Sequence, residues 1–381
     1  MIQSVEMLNT FAAAESHFTQ RVRRVLRGRA GRMTLGVSIA SVVALMISGC
    51  RGLPTAAARA PREDNDAEEI AMRTEQPPTG EAAKAKVKRE GGKAWIAGME
   101  ELRWPQGQEN SSLRSLAIAL QTVGEDVSYE RLMGVSGHAF RTQFHQTGFC
   151  GSSPHACCGF NTLKTALAAL DYGLTPYSFM DPEHELNKDD PEDVRRTREA
   201  VTASIDRGWP VIFGSEEDGL VVGYQDGGET LLVRSYFDWT EPGFGPMKDW
   251  PWGFSVLTKR DEAPDRRECA LNSLKLAVRL ANVETVEVYA SGFAAYDPWM
   301  AELLDEAKFE EANDDDRRVM IQMNAHIYNS LIDARTQAAG YLRSIGGEFT
   351  DEASEHLARA AGLYDDTVKL LDAGRENVPW P

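Results

Sequence analysis

The sequence predicts an α+β fold, in which helices precede an antiparallel sheet and a helical bundle follows it. Three observations predict it. A buried-helix pattern begins at Asn110 to Ser112 and runs through Leu120. Three short apolar runs separated by turn residues lie between residues 210 and 236. Apolar residues then recur every three or four positions over residues 320–345, as in a helix with one buried face.

The charge of the chain is unevenly distributed. The 381 residues include 41 Lys+Arg and 58 Asp+Glu, a net charge of −17, which argues against a nucleic-acid-binding protein. Residues 1–49 hold six Arg but only Glu6 and Glu15, a net charge of +4, which leaves −21 for the remainder. The basic end is therefore a segment with its own role.

That role is predicted to be export and anchoring. The Arg-rich stretch precedes an uncharged apolar run from Met33 to Met46, the layout of a secretory signal. The following Ile47-Ser48-Gly49-Cys50 resembles the lipobox of bacterial lipoproteins, which implies that Cys50 is diacylated and becomes the new N-terminus. An uncleaved helix over 33–49 is the alternative, at the short end of the spanning range of about 17 to 25 residues. We expect lipidation, with the protein facing the periplasm or exterior of a bacterial membrane.

The remaining chain divides into a tether and two folded parts. Residues 50–93 are rich in Ala, Pro, Glu, Lys and Arg and nearly lack large apolar side chains, so they predict a flexible tether. Residues 94–260 are predicted to form the first folded domain and residues 263–376 a helical domain.

Local signals place the elements of the first domain in order. Asn110 to Ser112 are good capping residues, so the first helix is predicted to begin there. A second helix is predicted over 161–170. Strands are predicted over 210–213, 219–224 and 230–236, with Asp226-Gly227-Gly228 as the hairpin turn between the last two.

The C-terminal part is predicted to be a small antiparallel bundle. Besides the long helix over 320–345, helices are predicted over 269–280, 296–306 and 351–371. Asn324, Tyr328 and Arg335 share one helical face and are candidates for lining a pocket, together with Asn110 of the first domain. A solvated polar face is the favoured interpretation of the three helical residues.

Residues 94–260 hold a series of motifs in a fixed order. These are Gln106 six positions before Ser112, the segments 124–130 and 132–141, Trp209-Pro210-Val211-Ile212, and the strand ending in Gly223-Tyr224. Together with the order of elements, these residues resemble the papain-like cysteine peptidases. The nearest likenesses are peptidase family C-39, the bacteriocin-leader peptidases, and the N-terminal domain of butirosin biosynthesis protein H, an acyltransferase of similar fold.

The resemblance implies a catalytic arrangement that this sequence only partly retains. In the family a Gln supplies an oxyanion donor, a Cys six residues later is the nucleophile, and a His that opens a later strand is the base. Gln106 matches the first, Ser112 occupies the nucleophile position, and the strand opens with Glu216-Glu217-Asp218 instead of a His. The position that orients the His falls near Arg234 or Ser235.

These replacements predict that a papain-like mechanism is absent. A hydroxyl has essentially no alkoxide without a base, and carboxylates such as Glu217 and Asp218 have reference pKa values near 4, poorly matched to serine at pH 7 unless burial raises them. We therefore expect a binding or scaffolding role, with Gln106, Asn110 and Ser112 at the rim of a cleft for a peptide or a small acyl ligand. A peptidase or acyltransferase that uses Ser112 or a Cys of the 150–158 segment is the alternative.

Residues 150–158 form the densest cluster of reactive side chains, Cys150, His155, Cys157 and Cys158. In an oxidising compartment Cys150 could pair with Cys157 or Cys158. Zinc binding, with His145 or Cys269 as a further ligand, is the second interpretation. A displaced Cys and His pair that restores catalysis is the third. We favour the disulfide and assign no cofactor, and we expect His138 and His145 to be structural or exposed.

Overall fold

The computed structural model describes residues 86–103, 107–156, 160–179, 186–237, 243–260 and 262–380. The predicted signal segment, Cys50, Gln106, Cys157 and Cys158 lie outside these residues. No helix in the described ranges is long and apolar enough to cross a membrane.

The structure confirms a mixed α/β fold with antiparallel sheets and a C-terminal helical region. In chain order the strands are β1 Val87–Glu90, β2 Lys93–Ile96, β3 Gln143–His145, β4 Tyr172–Ser178, β5 Val211–Gly214, β6 Gly219–Gln225, β7 Thr230–Arg234, β8 Gly245–Pro246, β9 Gly253–Lys259, β10 Thr285–Val286 and β11 Tyr289–Ser291. The helices are α1 Ser111–Thr122, α2 Tyr129–Val135, α3 Thr162–Leu167, α4 Pro191–Asp206, α5 Arg266–Asn282, α6 Tyr296–Leu304, α7 Glu306–Glu311, α8 Asp314–Ser344 and α9 Asp351–Gly374.

The described residues divide into two compact units. The sheet unit comprises residues 86–132 and 162–264, and the helical unit comprises residues 133–161 and 265–380. The sequence assigned residues 133–161 to the first domain, whereas the structure groups them with the C-terminal helices. The segment that contains Cys150 and His155 therefore belongs to the helical unit.

The sheet unit is built on one antiparallel sheet of eight strands in the order β1-β2-β6-β5-β9-β4, with β7 paired to β6 and β8. The three predicted strands are confirmed as β5, β6 and β7. Apolar side chains of β5, β6 and α4 meet in a common core, among them Val201, Ile205, Val211 and Val221, each 0% exposed. Burial of each such side chain contributes about 1.5 to 3 kcal/mol.

The sheet begins earlier than the sequence predicts. Residues 87–96 include the β1–β2 hairpin, although the tether was predicted to extend to residue 93. Gly91 and Gly92 form the turn with φ of +55° and +80°, a conformation that glycine adopts at little steric cost. Strand β2 then pairs with β6. The predicted tether boundary at residue 93 is therefore wrong.

The helical unit surrounds a second core. Helices α5, α6, α8 and α9 confirm the four predicted helices of this part of the chain. Strands β10, β11 and β3 form a three-stranded antiparallel sheet, which the sequence did not predict. The rings of Phe144, Trp299 and Tyr296 stack in sequence within the core, with centroids 5.9 Å and 6.3 Å apart. Such ring pairs add to the free energy gained by burial alone.

Candidate functional site

The start of α1 is fixed by its first residues. The side-chain oxygen of Asn110 accepts a hydrogen bond of 2.9 Å from the backbone N–H of Leu113, which confirms the predicted cap. Leu113, Leu116 and Leu120 are fully buried, so the helix is anchored along its length. Asn110 is itself only 3% exposed. It serves as a buried cap, and its predicted place at the rim of a binding cleft stays a prediction.

A glycine at the start of β6 allows this strand to lie close to both of its neighbours, β5 and β7. A Cβ atom on Gly219 would lie 2.5 Å from the ring of Phe213 and 2.8 Å from the backbone oxygen of Arg234. Only a residue without a side chain fits there. Asp218 directly precedes this glycine and hydrogen-bonds to serines of α1.

Three serine hydroxyls bind Asp218, and together we call them the serine latch. The hydroxyl of Ser112 donates a short hydrogen bond to a carboxylate oxygen of Asp218. The backbone N–H of Asp218 donates to the Ser111 hydroxyl at 3.1 Å. The Ser115 hydroxyl donates to the backbone oxygen of Asp218 at 3.3 Å. The structure thus brings together two of the residues that the sequence singled out, Ser112 and Asp218.

Burial changes the acid–base properties of this site. It raises the pKa of Asp218 to about 6, against the opposing effect of the Ser112 hydrogen bond. Burial also raises the pKa of Glu217 to about 7, although a hydrogen bond from Ser111 favours the charged form. Ser112, Glu217 and Asp218 all remain partly exposed. Two adjacent carboxyl groups therefore titrate near neutral pH within reach of solvent.

The described residues of the sheet unit include no histidine. The sequence has one histidine between residues 162 and 264, His184, and it lies outside the described residues. Arg234, at the position predicted to orient a catalytic base, instead donates to the backbone oxygens of Gly243, Met99 and Glu100 at 2.5 to 2.8 Å. Arg234 thus ties together three backbone positions of the sheet unit.

The favoured disulfide of the cysteine and histidine segment stays a prediction. Cys150 and Cys269 are thiols that are not joined to each other. The predicted partners Cys157 and Cys158 lie outside the described residues. Within the described ranges, no three His, Cys, Asp or Glu side chains are grouped so that they could hold a metal ion. His145 packs edge-on against Tyr289, a structural role that agrees with the prediction.

The polar residues predicted to share one face of α8 are buried in the helical unit. Asn324 accepts a hydrogen bond from the Trp299 indole N–H at 2.9 Å, and Tyr328 donates to the backbone oxygen of Leu371 at 2.7 Å. Arg335 donates to the backbone oxygens of Ala139 and Arg141 and to Thr142. These contacts join elements of the core. The solvated-face interpretation of these residues is therefore wrong, and the pocket interpretation stays a prediction.

Comparison with known proteins adds no relative, because no protein-family model, curated protein or solved structure matches this chain.

Proposed function

We propose that the protein is a membrane-anchored extracytoplasmic lipoprotein whose sheet unit is a papain-like domain that binds a peptide without cutting it. The observation that carries the proposal is the hydrogen bond between Ser112 and Asp218. In the family that the sequence resembles, a cysteine and a histidine occupy these two positions. A serine and a carboxylic acid therefore replace the nucleophile and its base.

Electrostatics opposes acyl transfer at this position. Attack on a carbonyl builds negative charge on its oxygen, which enzymes stabilise with hydrogen-bond donors. Here Asp218 contacts Ser112 and Glu217 contacts the adjacent Ser111, and each carboxyl group is at least partly ionised at pH 7. Negative charge beside a developing oxyanion raises the barrier. The same carboxylates are good acceptors for the N–H groups of a peptide or for an amino group.

The serine latch also favours a structural use of the hydroxyls. Ser111 and Ser115 bind the backbone of Asp218, and Ser112 binds its side chain. Together they fix the loop before β6 to the first turns of α1. A binding surface benefits from such rigidity because less conformational entropy is lost when a ligand is held.

A serine-reactive acyl probe tests whether Ser112 is inert. The purified chain is treated with a fluorophosphonate, digested and mapped by mass spectrometry. We expect no adduct on Ser112 in the wild-type chain, and the same result in Ser112→Ala. Stoichiometric modification of Ser112 that is lost in Asp218→Asn would overturn the non-catalytic proposal.

A hydrolase with Ser112 as nucleophile and Asp218 as general base is the second candidate. One observation favours it: burial raises the pKa of Asp218 to about 6, closer to the operating pH that general-base catalysis prefers. This is the condition under which a carboxylate could replace the missing imidazole. The mapping experiment separates the two, because only the hydrolase is modified at Ser112 and depends on Asp218.

A further inference from the structure

A second cluster of hydroxyl and imidazole groups lies in the helical unit, around His155. Its ring nitrogen Nδ1 is 3.2 Å from Nε2 of His138, and its Nε2 is 3.4 Å from the hydroxyl of Ser330. The His138 and His155 rings stack with centroids 5.2 Å apart. One imidazole thus links a serine hydroxyl on one side to a second imidazole on the other.

The residues of this cluster come from two parts of the helical unit, residues 138–155 and helix α8. Met323, His326 and Ser330 lie three and four positions apart on α8, so they face the same side. The His326 ring meets the His155 ring edge-on at 5.5 Å, and His326 also hydrogen-bonds to the backbone of Gly151. The His155 ring is therefore contacted from two sides. His155 and His326 are partly exposed, whereas the Ser330 side chain is buried at 4% exposure.

His138 is a neutral imidazole. It is 3% exposed, and burial, with the nearby charges of Arg141 and Arg335, lowers its pKa to about 3. The tautomer that makes His155 a base carries the His138 proton on Nδ1. Nε2 of His138 then accepts a hydrogen bond from Nδ1–H of His155, and the lone pair on Nε2 of His155 faces the Ser330 hydroxyl.

We propose that Ser330 is a nucleophile, His155 its general base and His138 the residue that orients His155, in a site that acts on activated acyl esters. The Ser330 proton passes to Nε2 of His155 as the serine oxygen forms a bond to the acyl carbon. The ester bond to the leaving alcohol breaks, and His155 returns the proton to that alcohol. Water, activated by His155, then hydrolyses the acyl-serine and restores both groups.

This site differs from the serine latch in both its residues and its chemistry. The Ser330 site has an imidazole base, whereas the base available to Ser112 is a carboxylate. It would also restore, from another part of the chain, the serine–imidazole pair that the sheet unit lacks in its described residues. Either site can be active or inactive independently of the other.

Fluorophosphonate mapping on the full chain tests the proposal, with p-nitrophenyl acetate hydrolysis as a second readout. We expect an adduct on Ser330 that is absent in Ser330→Ala and forms at least about 100-fold more slowly in His155→Gln. Ser152→Ala, a change at an exposed serine of the same segment, is the matched control and should keep the wild-type rate.

A further variant keeps the test decisive if His155→Gln does not fold. Ser330→Cys places a thiol beside His155, and an imidazole neighbour promotes the thiolate. We expect this thiol to react with iodoacetamide at pH 7 at least about tenfold faster than Cys150 or Cys269 of the same chain. Absence of a Ser330 adduct in the folded wild-type chain, or a Ser330→Cys thiol no faster than those two, would overturn the proposal.

Discussion

At the scale of single residues, the proposed function depends on the hydrogen-bond partner of Ser112, which is Asp218. The sequence identified Ser112 and Asp218 as the residues at the degenerate positions, and the structure places them in hydrogen-bond contact. The raised pKa values of Asp218 and Glu217 were not predictable, because they come from burial by neighbours distant in the chain. The link from His155 to Ser330 spans 175 positions and left no signal in the local sequence.

The raised carboxyl pKa values predict how stability depends on pH. A carboxyl group whose pKa is higher in the folded state binds more protons when folded. Its protonation therefore contributes fully to the free energy of unfolding below pH 4, and this contribution is lost as pH rises to about 7. As pH rises over this range, the free energy of unfolding of the wild type should fall relative to that of the Glu217→Gln/Asp218→Asn variant.

Urea unfolding between pH 4 and 7.5 measures this effect. The difference between the two chains should change with pH by no more than about 1.4 kcal/mol per pH unit for each proton. Glu216→Gln, a change at the exposed neighbour, is the control and should follow the wild type. Parallel curves for wild type and double variant would show that the two carboxyl groups are not buried as described.

A second prediction at this scale concerns the cap of α1. Asn110→Ala removes the acceptor for the Leu113 backbone N–H and should destabilise the chain by about 1 kcal/mol. Asn110→Asp retains a side-chain oxygen and should lose less. Urea unfolding at pH 7 compares the three chains, and equal stability of Asn110→Ala and wild type would contradict the capping role.

At the scale of elements, the strongly periodic helices were predictable and several strands were not. The polar run of β1 lacks the apolar alternation of a half-buried strand, so the sequence assigns β1 to the tether, which was predicted to end at the first residue of β2. Strand β4 contains Pro176, which argues against a central strand, and the structure places β4 at the edge of the sheet path. The extended conformation of β4 is stabilised by its pairing with β9, which the local sequence does not specify.

Two glycines of the helices should respond in opposite ways to alanine. A Cβ atom on Gly134 of α2 would lie 1.9 Å from the Tyr341 ring, whereas one on Gly362 of α9 meets nothing within 4 Å. Gly134→Ala should therefore destabilise the chain by about 1 to 3 kcal/mol through overpacking. Gly362→Ala should stabilise it by about 0.5 to 1 kcal/mol, since alanine favours a helix.

Thermal unfolding of the two variants beside the wild type checks this pair. The midpoint should fall for Gly134→Ala and rise for Gly362→Ala. A Gly134→Ala midpoint equal to that of the wild type would contradict the close packing of Gly134 against Tyr341.

At the scale of the whole molecule, the charge distribution fits a body displayed near a bilayer. The segment before Cys50 carries +4 and the rest −21, so anionic lipid headgroups should repel the folded part. Attachment is then expected through the lipid on Cys50 alone.

The division of the described residues into two compact units was only partly predictable, because residues 133–161 join helices that begin more than 100 positions later.

Lipid attachment predicts a clear phase behaviour for the protein expressed with its N-terminal segment in a bacterium. The wild-type chain should enter the detergent phase on Triton X-114 partition and incorporate labelled palmitate. Cys50→Ala should lose the label, whereas Cys150→Ala, the matched control, should retain it. Equal palmitate incorporation by Cys50→Ala and wild type would contradict lipidation at Cys50.

The central claim is that the sheet unit binds peptide without cleaving it, and a random decapeptide library tests it most directly. The purified chain and its Ser112→Ala variant are each immobilised and incubated with the library, and the retained and released peptides are sequenced by mass spectrometry. The account predicts that both chains retain the same peptides, all uncut. Retention of no peptide by either chain, or cleavage products formed by the wild type and missing with Ser112→Ala, would contradict it.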